Sequence, residues 1–317
     1  MSFFNPEKFT SEAVEKLKTE LSSKAIIAAS GGVDSTVAAV LAAKAVKDNL
    51  LAIYVDTGYM RLGESEYVSS MLSNLGVKHK VVDASEQFYS GLKGVVDPEQ
   101  KRKIIGELFI RVFEKEAEEY GGKFLVQGTI APDWIESGGG LRDTIKSHHN
   151  VGGLPDDMDM VLCEPIRELY KDEVRSLAEY LDVSVSQRQP FPGPGLAVRV
   201  MGEATPERTE VVRQACHIAE NEMELAAKEG IMELPWQYFA ALLPVRSVGV
   251  HGDVRAYGET IVVRAVQSMD GMSARYSEIP HPILQKISTR ITNTVKGAAN
   301  RVVYDITHKP PGTIEWE

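Results

Sequence analysis

The stretch AIIAASGGVDST, residues 25–36, decides the fold of the first half of the chain. Its first five residues are continuously apolar, which is typical of a short strand buried on both faces of a parallel sheet. The adjacent Gly31 and Gly32 then allow the backbone to turn tightly, and a helical pattern runs from Ser35 to Val46. The segment therefore predicts a buried strand, a glycine turn and a helix, in that order.

The glycine turn is suited to binding an anion. Its bare backbone N–H groups and the positive end of the following helix both favour negative charge. The hydroxyl groups of Ser30, Ser35 and Thr36 add donors, and Asp34 is able to cap the helix or help hold a metal ion. A capped turn with only a structural role is the alternative that these residues leave open. The segment is not a Walker loop, because G-x-x-x-x-G-K-[ST] occurs nowhere in the sequence.

The alternation of strand and helix continues through residue 127. Predicted strands cover residues 25–29, 50–55, 78–82 and 124–127, and predicted helices cover residues 9–21, 35–46, 64–75 and 99–120. Strands that alternate with helices predict an α/β fold, a parallel sheet with flanking helices. Because ligands bind beyond the carboxyl ends of such strands, the loops after Ala29, Val55 and Val126 are the candidate ligand loops.

The proline-rich segment PFPGPG, residues 190–195, interrupts this alternation of strands and helices. Proline fixes φ and disfavours helix before it, so the segment predicts a rigid connector between a domain at 1–190 and a domain at 191–317. Beyond it we expect strands at 196–200, 245–250, 260–266 and 302–306, and helices at 206–229 and 283–299. This mixture predicts a smaller α+β domain.

Composition excludes several classes of protein. The 317 residues carry a net charge of −10, which disfavours a nucleic-acid partner because no basic field is present to neutralise phosphates. No apolar run reaches the ~18 residues of a membrane span, and residues 1–10 lack the pattern of a secretory signal. With two cysteines, Cys163 and Cys216, the chain is not a disulfide scaffold, and we expect a cytoplasmic protein.

A pair of carboxylates follows the fourth predicted strand. Asp133 and Glu136 lie three residues apart, so on a helical turn they would share a face. Magnesium favours a few carboxylates together with phosphate oxygens, so the pair is a candidate Mg²⁺ site. An acidic pair at the start of a short helix is the structural alternative.

Two sets of motifs resemble known families. SGGVDS at 30–35 resembles the PP-loop of the N-type ATP pyrophosphatases, which cut ATP between its α- and β-phosphates. Other stretches resemble the GMP synthetase family, in the same order over nearly the whole chain: residues 127–129, 132–133, 135–137, 145–155, 171–175, 189–199, 244–250 and the very specific KPPGTIEWE at 309–317. The resemblance implies an adenine nucleotide alpha hydrolase-like ATP pyrophosphatase domain and a C-terminal domain for dimerisation and substrate binding.

The family resemblance also implies an activity. ATP would adenylate the 2-oxygen of xanthosine 5′-monophosphate (XMP), and ammonia would then displace AMP to give GMP, with Mg²⁺ on the ATP phosphates. The sequence shows no class I glutamine amidotransferase part, so it resembles the separate synthetase subunit of the archaeal two-subunit enzyme, which takes ammonia from an amidotransferase subunit. Another PP-loop ligase such as NAD synthetase is the runner-up, and a nucleotide-binding regulatory module is the alternative from a different class.

The same resemblance assigns residues to roles. The ATP-binding set is Ser30, Gly31, Gly32, Val33, Asp34, Ser35, Thr36, Asp56, Gln127 and Gly128. The catalytic set is Asp34, Asp133, Glu136, Lys146, His148, His149, Lys171 and Asp172, of which Asp34, Asp133 and Glu136 would hold Mg²⁺. The XMP-binding set is Arg102, Gln237, Lys309, Thr313, Ile314 and Glu315. In the family, residues 138–153 correspond to a lid over the nucleotide, and the C-terminal domain forms a homodimer.

Overall fold

A computed structural model describes residues 4–136, 160–183, 188–251, 253–269 and 271–317. The chain folds into two compact units. Unit 1 comprises residues 1–57, 63–85 and 106–188, and unit 2 comprises residues 58–62, 86–105 and 189–317. Both units are therefore built from discontinuous stretches of the chain.

A five-stranded parallel sheet forms the centre of unit 1, in the order β3-β2-β1-β4-β5. Its strands are β1 Ala25–Ala28, β2 Leu50–Asp56, β3 His79–Asp83, β4 Phe124–Val126 and β5 Val161–Cys163. The helices of this unit are α1 Pro6–Glu20, α2 Val33–Val46, α3 Glu64–Asn74, α6 Ala131–Glu136 and α7 Lys171–Tyr180. Helix α5 Pro98–Tyr120 is divided between the two units.

The order of the strands fixes where a ligand binds in unit 1. Strand β1 pairs with β2 on one side and with β4 on the other, so the chain order reverses between β1 and β4. In open parallel sheets the crevice beyond the carboxyl ends of two such strands is the usual ligand site. Residues 50–55 of β2 are all buried, as expected for a strand covered on both faces.

A mixed, mainly antiparallel sheet forms the centre of unit 2. Strand β7 Val254–Gln267 pairs antiparallel with β6 Gln237–His251 and β8 Arg275–Tyr276, and parallel with β9 Ala299–Asp305. Helix α8 Pro206–Lys228 contacts β6, and α9 His281–Thr294 contacts α8 and β9. The segment 86–105 contributes all but the first residue of the helix α4 Ser85–Gly91, and the first turns of α5.

The predicted α/β fold with a smaller α+β part is confirmed, with differences in detail. The predicted strand at 196–200 is wrong: residues Gly195–Arg199 form a 3₁₀ helix that starts from Gly195 at φ +64°. The helix predicted at 283–299 ends at Thr294, and a strand begins at Ala299. Helices α4 and α6 and strand β5 were not predicted, because each has seven residues or fewer and shows little periodicity. Within the described residues, we find no helix with the length and apolar character of a membrane span.

Candidate active site

The glycine turn between β1 and α2 has the conformation that its sequence requires. Gly31 adopts φ +75°, a left-handed conformation, and a Cβ there would lie 2.9 Å from the Val68 side chain. Any other residue at this position would be strained and would collide with α3. Both constraints explain why a glycine occupies the point where the chain leaves the sheet.

The N-terminus of α2 is open to a ligand. Gly32 is its N-cap residue, and no side chain among the described residues caps the helix. The first N–H groups of a helix have no partner within it, so within the described part of the chain those of α2 are available as donors to an anion. The hydroxyl groups around them are ordered, because Ser30 Oγ and Ser35 Oγ lie 2.9 Å apart and Thr36 Oγ1 donates to Gly32 O at 2.7 Å.

Asp34, in the first turn of α2, has one carboxylate oxygen paired and one unpaired. Its Oδ2 accepts a hydrogen bond from Lys171 Nζ at 2.7 Å, whereas its Oδ1 is buried and has no partner among the described residues. A buried acceptor without a donor is costly unless a ligand supplies the missing partner. A hard oxygen of this kind fits Mg²⁺, which needs one or two protein carboxylates besides phosphate oxygens.

The end of β4 packs directly against the start of α2. A Cβ on Gly128 would lie 2.8 Å from both the carbonyl carbon of Asp34 and the nitrogen of Ser35, so only glycine fits between the two segments. The next residue, Thr129, is 7% exposed, and its Oγ1 has no partner among the described residues. Thr129 is a candidate ligand residue that the sequence analysis did not select, although it follows directly on the selected pair Gln127 and Gly128.

The other predicted residues of unit 1 have diverse environments. Asp56, at the end of β2, accepts a hydrogen bond from Ser65 Oγ. Asp133 is exposed, and its Oδ2 accepts a hydrogen bond from Ile130 N at 2.9 Å. Asp172 is also exposed. The side chain of Glu136 and the whole of Lys146, His148 and His149 lie outside the described part of the structure. Within that part, no three His, Cys, Asp or Glu side chains form a cluster suited to a metal ion.

In unit 2, Glu315 lies at the centre of a buried polar network. Arg199 Nε donates to Glu315 Oε2 at 3.1 Å, and Arg199 Nη2 donates to Oε1 at 2.8 Å. Gln237 Nε2 also donates to Glu315 Oε1, at 2.9 Å. Burial alone would lower the pKa of Arg199. Nearby groups, the Glu315 carboxylate foremost, raise the pKa by a larger amount, so the net shift is upward and the guanidinium stays charged.

Two further buried cations hold the C-terminal segment. Arg264, 0% exposed, donates to the carbonyl oxygens of Ile314 and Thr313 at 2.9 and 2.8 Å. Lys101, also 0% exposed, forms an ion pair with Glu317. Sequence reasoning missed all three buried cations, because lysine and arginine are ordinarily surface residues.

The remaining predicted XMP-binding residues also belong to unit 2. Lys309 Nζ donates to Gly271 O at 2.7 Å, and Arg102 Nη1 donates to Glu99 Oε1 at 2.6 Å. The predicted ATP-binding residues all belong to unit 1, whereas the predicted XMP-binding residues all belong to unit 2. The structure thus separates the two predicted sets into two units.

Comparison with known proteins identifies the family. Residues 6–111 match the family model described as NAD synthase, and residues 224–316 match the model described as GMP synthase C terminal domain. The B subunit of the GMP synthase (glutamine-hydrolyzing) from Pyrococcus abyssi is 55% identical over 317 residues, covering 99% of this chain and 100% of the relative. Its counterpart from Thermoplasma acidophilum, of the same name, is 51% identical, covering 97% of this chain and 99% of the relative.

Among solved structures, an NMN synthetase from Francisella tularensis aligns with a TM-score of 0.47 and 20% identity, covering 61% of this chain and 78% of that chain. The identity to the curated relatives is far higher and extends over essentially their full length. The chain therefore belongs to the family of GMP synthase B subunits.

Proposed function

We propose that this chain is the synthetase subunit of a GMP synthase, a carbon–nitrogen ligase that uses ATP. The 2-oxygen of XMP would attack the α-phosphorus of ATP and expel pyrophosphate, giving an adenylated XMP. Ammonia would then add at C2, lose a proton and displace AMP, which carries away the former 2-oxygen, to leave GMP. The observation that carries the proposal is the start of α2, where, among the residues the structure describes, no side chain caps the helix and Asp34 Oδ1 has no partner.

The residues of unit 1 would bind ATP and orient its phosphates. The N–H groups at the start of α2 and the Ser30, Ser35 and Thr36 hydroxyls would hold the phosphates that leave as pyrophosphate. Mg²⁺, held by Asp34 with Asp133 and Glu136 as further ligands, would neutralise phosphate charge. Lys171 Nζ, 2.7 Å from Asp34 Oδ2, would keep that carboxylate oriented.

The remaining roles rest on the family pattern. Asp56, Gln127 and Gly128 would line the ATP site, and Asp172 would act beside Lys171. Lys146, His148 and His149 would cover the nucleotide, excluding the water that would hydrolyse an adenylate. In unit 2, Arg102 and Lys309 would bind the XMP phosphate, and Gln237, Thr313, Ile314 and Glu315 would bind the purine.

An AMP-release assay with a panel of acceptors tests this function. We expect AMP and pyrophosphate to form in equal amounts when ATP, Mg²⁺, ammonium and XMP are all present, and neither product without XMP. An amidating ligase for deamido-NAD is the second candidate function, because residues 6–111 match the family model described as NAD synthase. AMP release with deamido-NAD but not with XMP would reject our proposal in favour of that ligase.

We further propose that glutamine nitrogen reaches this chain through a separate amidotransferase subunit. An amidotransferase nucleophile must be a reactive thiolate, but both cysteines of the chain are buried. Burial raises the pKa of the Cys163 thiol to about 12 and that of the Cys216 thiol to about 11. Neither side chain is therefore suited to attack glutamine.

The purified chain alone is expected to make GMP with ammonium chloride and to make none with glutamine. Because free ammonia is the nucleophile, the rate at fixed total ammonium should rise with pH as ammonium loses its proton. The measurement is GMP formation by chromatography, with a purified amidotransferase subunit added in a parallel reaction to restore the use of glutamine. Glutamine-dependent synthesis by the chain alone would contradict this assignment.

We propose that the hairpin of β6 and β7 forms a homodimer interface. Val248, Val250 and Tyr257 are 49%, 71% and 62% exposed. Val248 pairs directly with Tyr257, and Val250 lies two residues along the strand, so the three side chains share one face of the hairpin. An exposed cluster of large apolar side chains is typical of a protein–protein interface.

Replacing both Val248 and Val250 by Asp is expected to convert a dimer into a monomer of 34.9 kDa, because four buried charges in the symmetric pair would lack partners. Light scattering after size-exclusion chromatography measures the mass. Val96→Asp is the matched control, since Val96 is 60% exposed but lies outside the hairpin. A wild-type chain of monomeric mass, or a dimer that survives the double substitution, would rule out this interface.

A further inference from the structure

Arg199 and Glu315 form an unusually constrained ion pair in unit 2. Two nitrogens of the guanidinium each bond a different carboxylate oxygen, at 3.1 and 2.8 Å, so the carboxylate cannot rotate freely. The guanidinium itself is immobilised, because its central carbon lies 4.1 Å from the ring centroid of Phe239 and 5.3 Å from that of Phe191. Glu315 is thus fixed in position.

The two partners differ in access to a ligand. The Arg199 side chain is 0% exposed, whereas that of Glu315 is 19% exposed. An ionised carboxylate offers about four acceptor positions, and the two Arg199 nitrogens and Gln237 Nε2 occupy three of them. One acceptor position of Glu315 therefore remains for a donor on a ligand.

The same network sets the orientation of Gln237. Its Nε2 donates to Glu315 Oε1 at 2.9 Å and to Pro190 O at 3.4 Å, which uses both amide hydrogens. Its Oε1 has no donor among the side chains and backbone that the structure describes and is left as an acceptor. With the free position of Glu315, this gives two fixed acceptors, which match a purine edge that carries N–H donors.

We propose that Arg199 is a positioning residue for purine recognition, acting through Glu315 and Gln237 without touching the substrate. This inference rests on the proposed function, because it takes Glu315 and Gln237 to be residues that bind XMP. Arg199 holds the carboxylate in one orientation through two hydrogen bonds, and the carboxylate in turn fixes the amide of Gln237. A lysine would supply the charge but not the two-point contact.

The test is steady-state kinetics of Arg199→Lys with ammonium as the nitrogen source. We expect the KM for XMP to rise about 10- to 100-fold, the effect of losing hydrogen bonds to a charged group. The KM for ATP and the kcat at saturating XMP should change by less than about threefold, because neither depends on the fixed acceptors. Arg208→Lys is the matched control: Arg208 also makes a two-point pair, with Glu259 at 3.0 and 3.2 Å, and that pair involves neither Glu315 nor Gln237.

A double substitution separates positioning from mere stabilisation. Glu315→Gln should raise the KM for XMP by a similar factor, and Arg199→Lys should add little to it, because both act through one carboxylate. Additive effects, or an unchanged KM for XMP in folded Arg199→Lys, would overturn the proposal. If Arg199→Lys does not fold, Glu315→Asp replaces it: the shorter side chain keeps the charge, breaks the two-point contact and should reproduce the rise in KM.

The outcome is distinguishable from a failure of the proposed function. If the wild-type chain releases no AMP with XMP, the function fails before any variant is compared. If the wild type does so but the variants follow the additive pattern, only the role of Arg199 fails.

Discussion

Replacing Asp34 by Asn is expected to reduce XMP-dependent pyrophosphate release by about 100- to 1,000-fold, the range found when one preorganised electrostatic contact is lost. The substitution removes the negative charge of Asp34, whose buried Oδ1 has no partner in the described part of the chain, and weakens the contact with Lys171. The fold should survive, because Lys171 is 56% exposed and such a pair contributes at most about 1 kcal/mol to stability. Release of labelled pyrophosphate measures the activity, and circular dichroism confirms the fold.

Glu66→Gln is the matched control for this substitution. Glu66 is an exposed carboxylate in the first turn of α3, another helix of unit 1. Like Asp34→Asn, this substitution replaces a carboxylate by its amide, so it removes one negative charge with little change in side-chain volume. We expect it to keep the wild-type rate within about twofold, as most surface substitutions do. A folded Asp34→Asn protein with half or more of the wild-type rate would reject the assignment of the phosphate loop.

Deleting residues 309–317 is expected to unfold unit 2 rather than only weaken substrate binding. The deletion removes both carboxylates that pair with the buried Lys101 and Arg199 and two of the carbonyl oxygens that accept from the buried Arg264. Removing one partner of a buried pair costs about 3–5 kcal/mol, and whole proteins are stable by only about 5–15 kcal/mol. Urea unfolding followed by far-UV circular dichroism measures the loss.

A single substitution in the same segment should lower the stability by less than the deletion does. Glu317→Gln keeps the chain length but removes the charge that pairs with Lys101, so we expect a loss of about 3 kcal/mol in the free energy of unfolding. Glu278→Gln, at an exposed position of the same unit, should change it by less than about 0.5 kcal/mol. A truncated protein as stable as the full chain would show that these buried cations do not depend on the C-terminal segment.

Local patterns were sufficient to predict four of the five strands of unit 1 and the glycine turn that follows the first of them. The continuous apolar run at 25–29 is typical of a strand buried on both faces, and Gly31 and Gly32 mark the turn in the sequence itself. Because this turn is made of neighbouring residues, no knowledge of distant contacts was needed to predict it. The position of Gln127 and Gly128 beside it followed from the rule that parallel strands place their carboxyl ends at one edge.

Long-range contacts were the part that local patterns could not predict. Lys101 pairs with a residue 216 positions away, and Arg199 with one 116 positions away, so no local window contains both partners. The hairpin was also underestimated, because Pro244 and Gly249 break the strand pattern of β6. The structure accommodates Pro244 at a shift in register between Leu243 and Ser247, where no regular ladder hydrogen bond is required.

The discontinuous composition of unit 2 has a consequence for synthesis on the ribosome. Residues 58–62 and 86–105 emerge early, but their partners in the same unit begin at residue 189 and extend to residue 317. At about 5–20 residues per second, the segment that carries Lys101 waits roughly 10 to 40 s for the carboxylate of Glu317 to be made. During that interval Lys101, which is completely buried in the folded protein, remains in water, and the apolar side chains around it lack their final neighbours. A nascent chain that stalls in its last third would thus expose the early segments of unit 2 to chaperones and proteases.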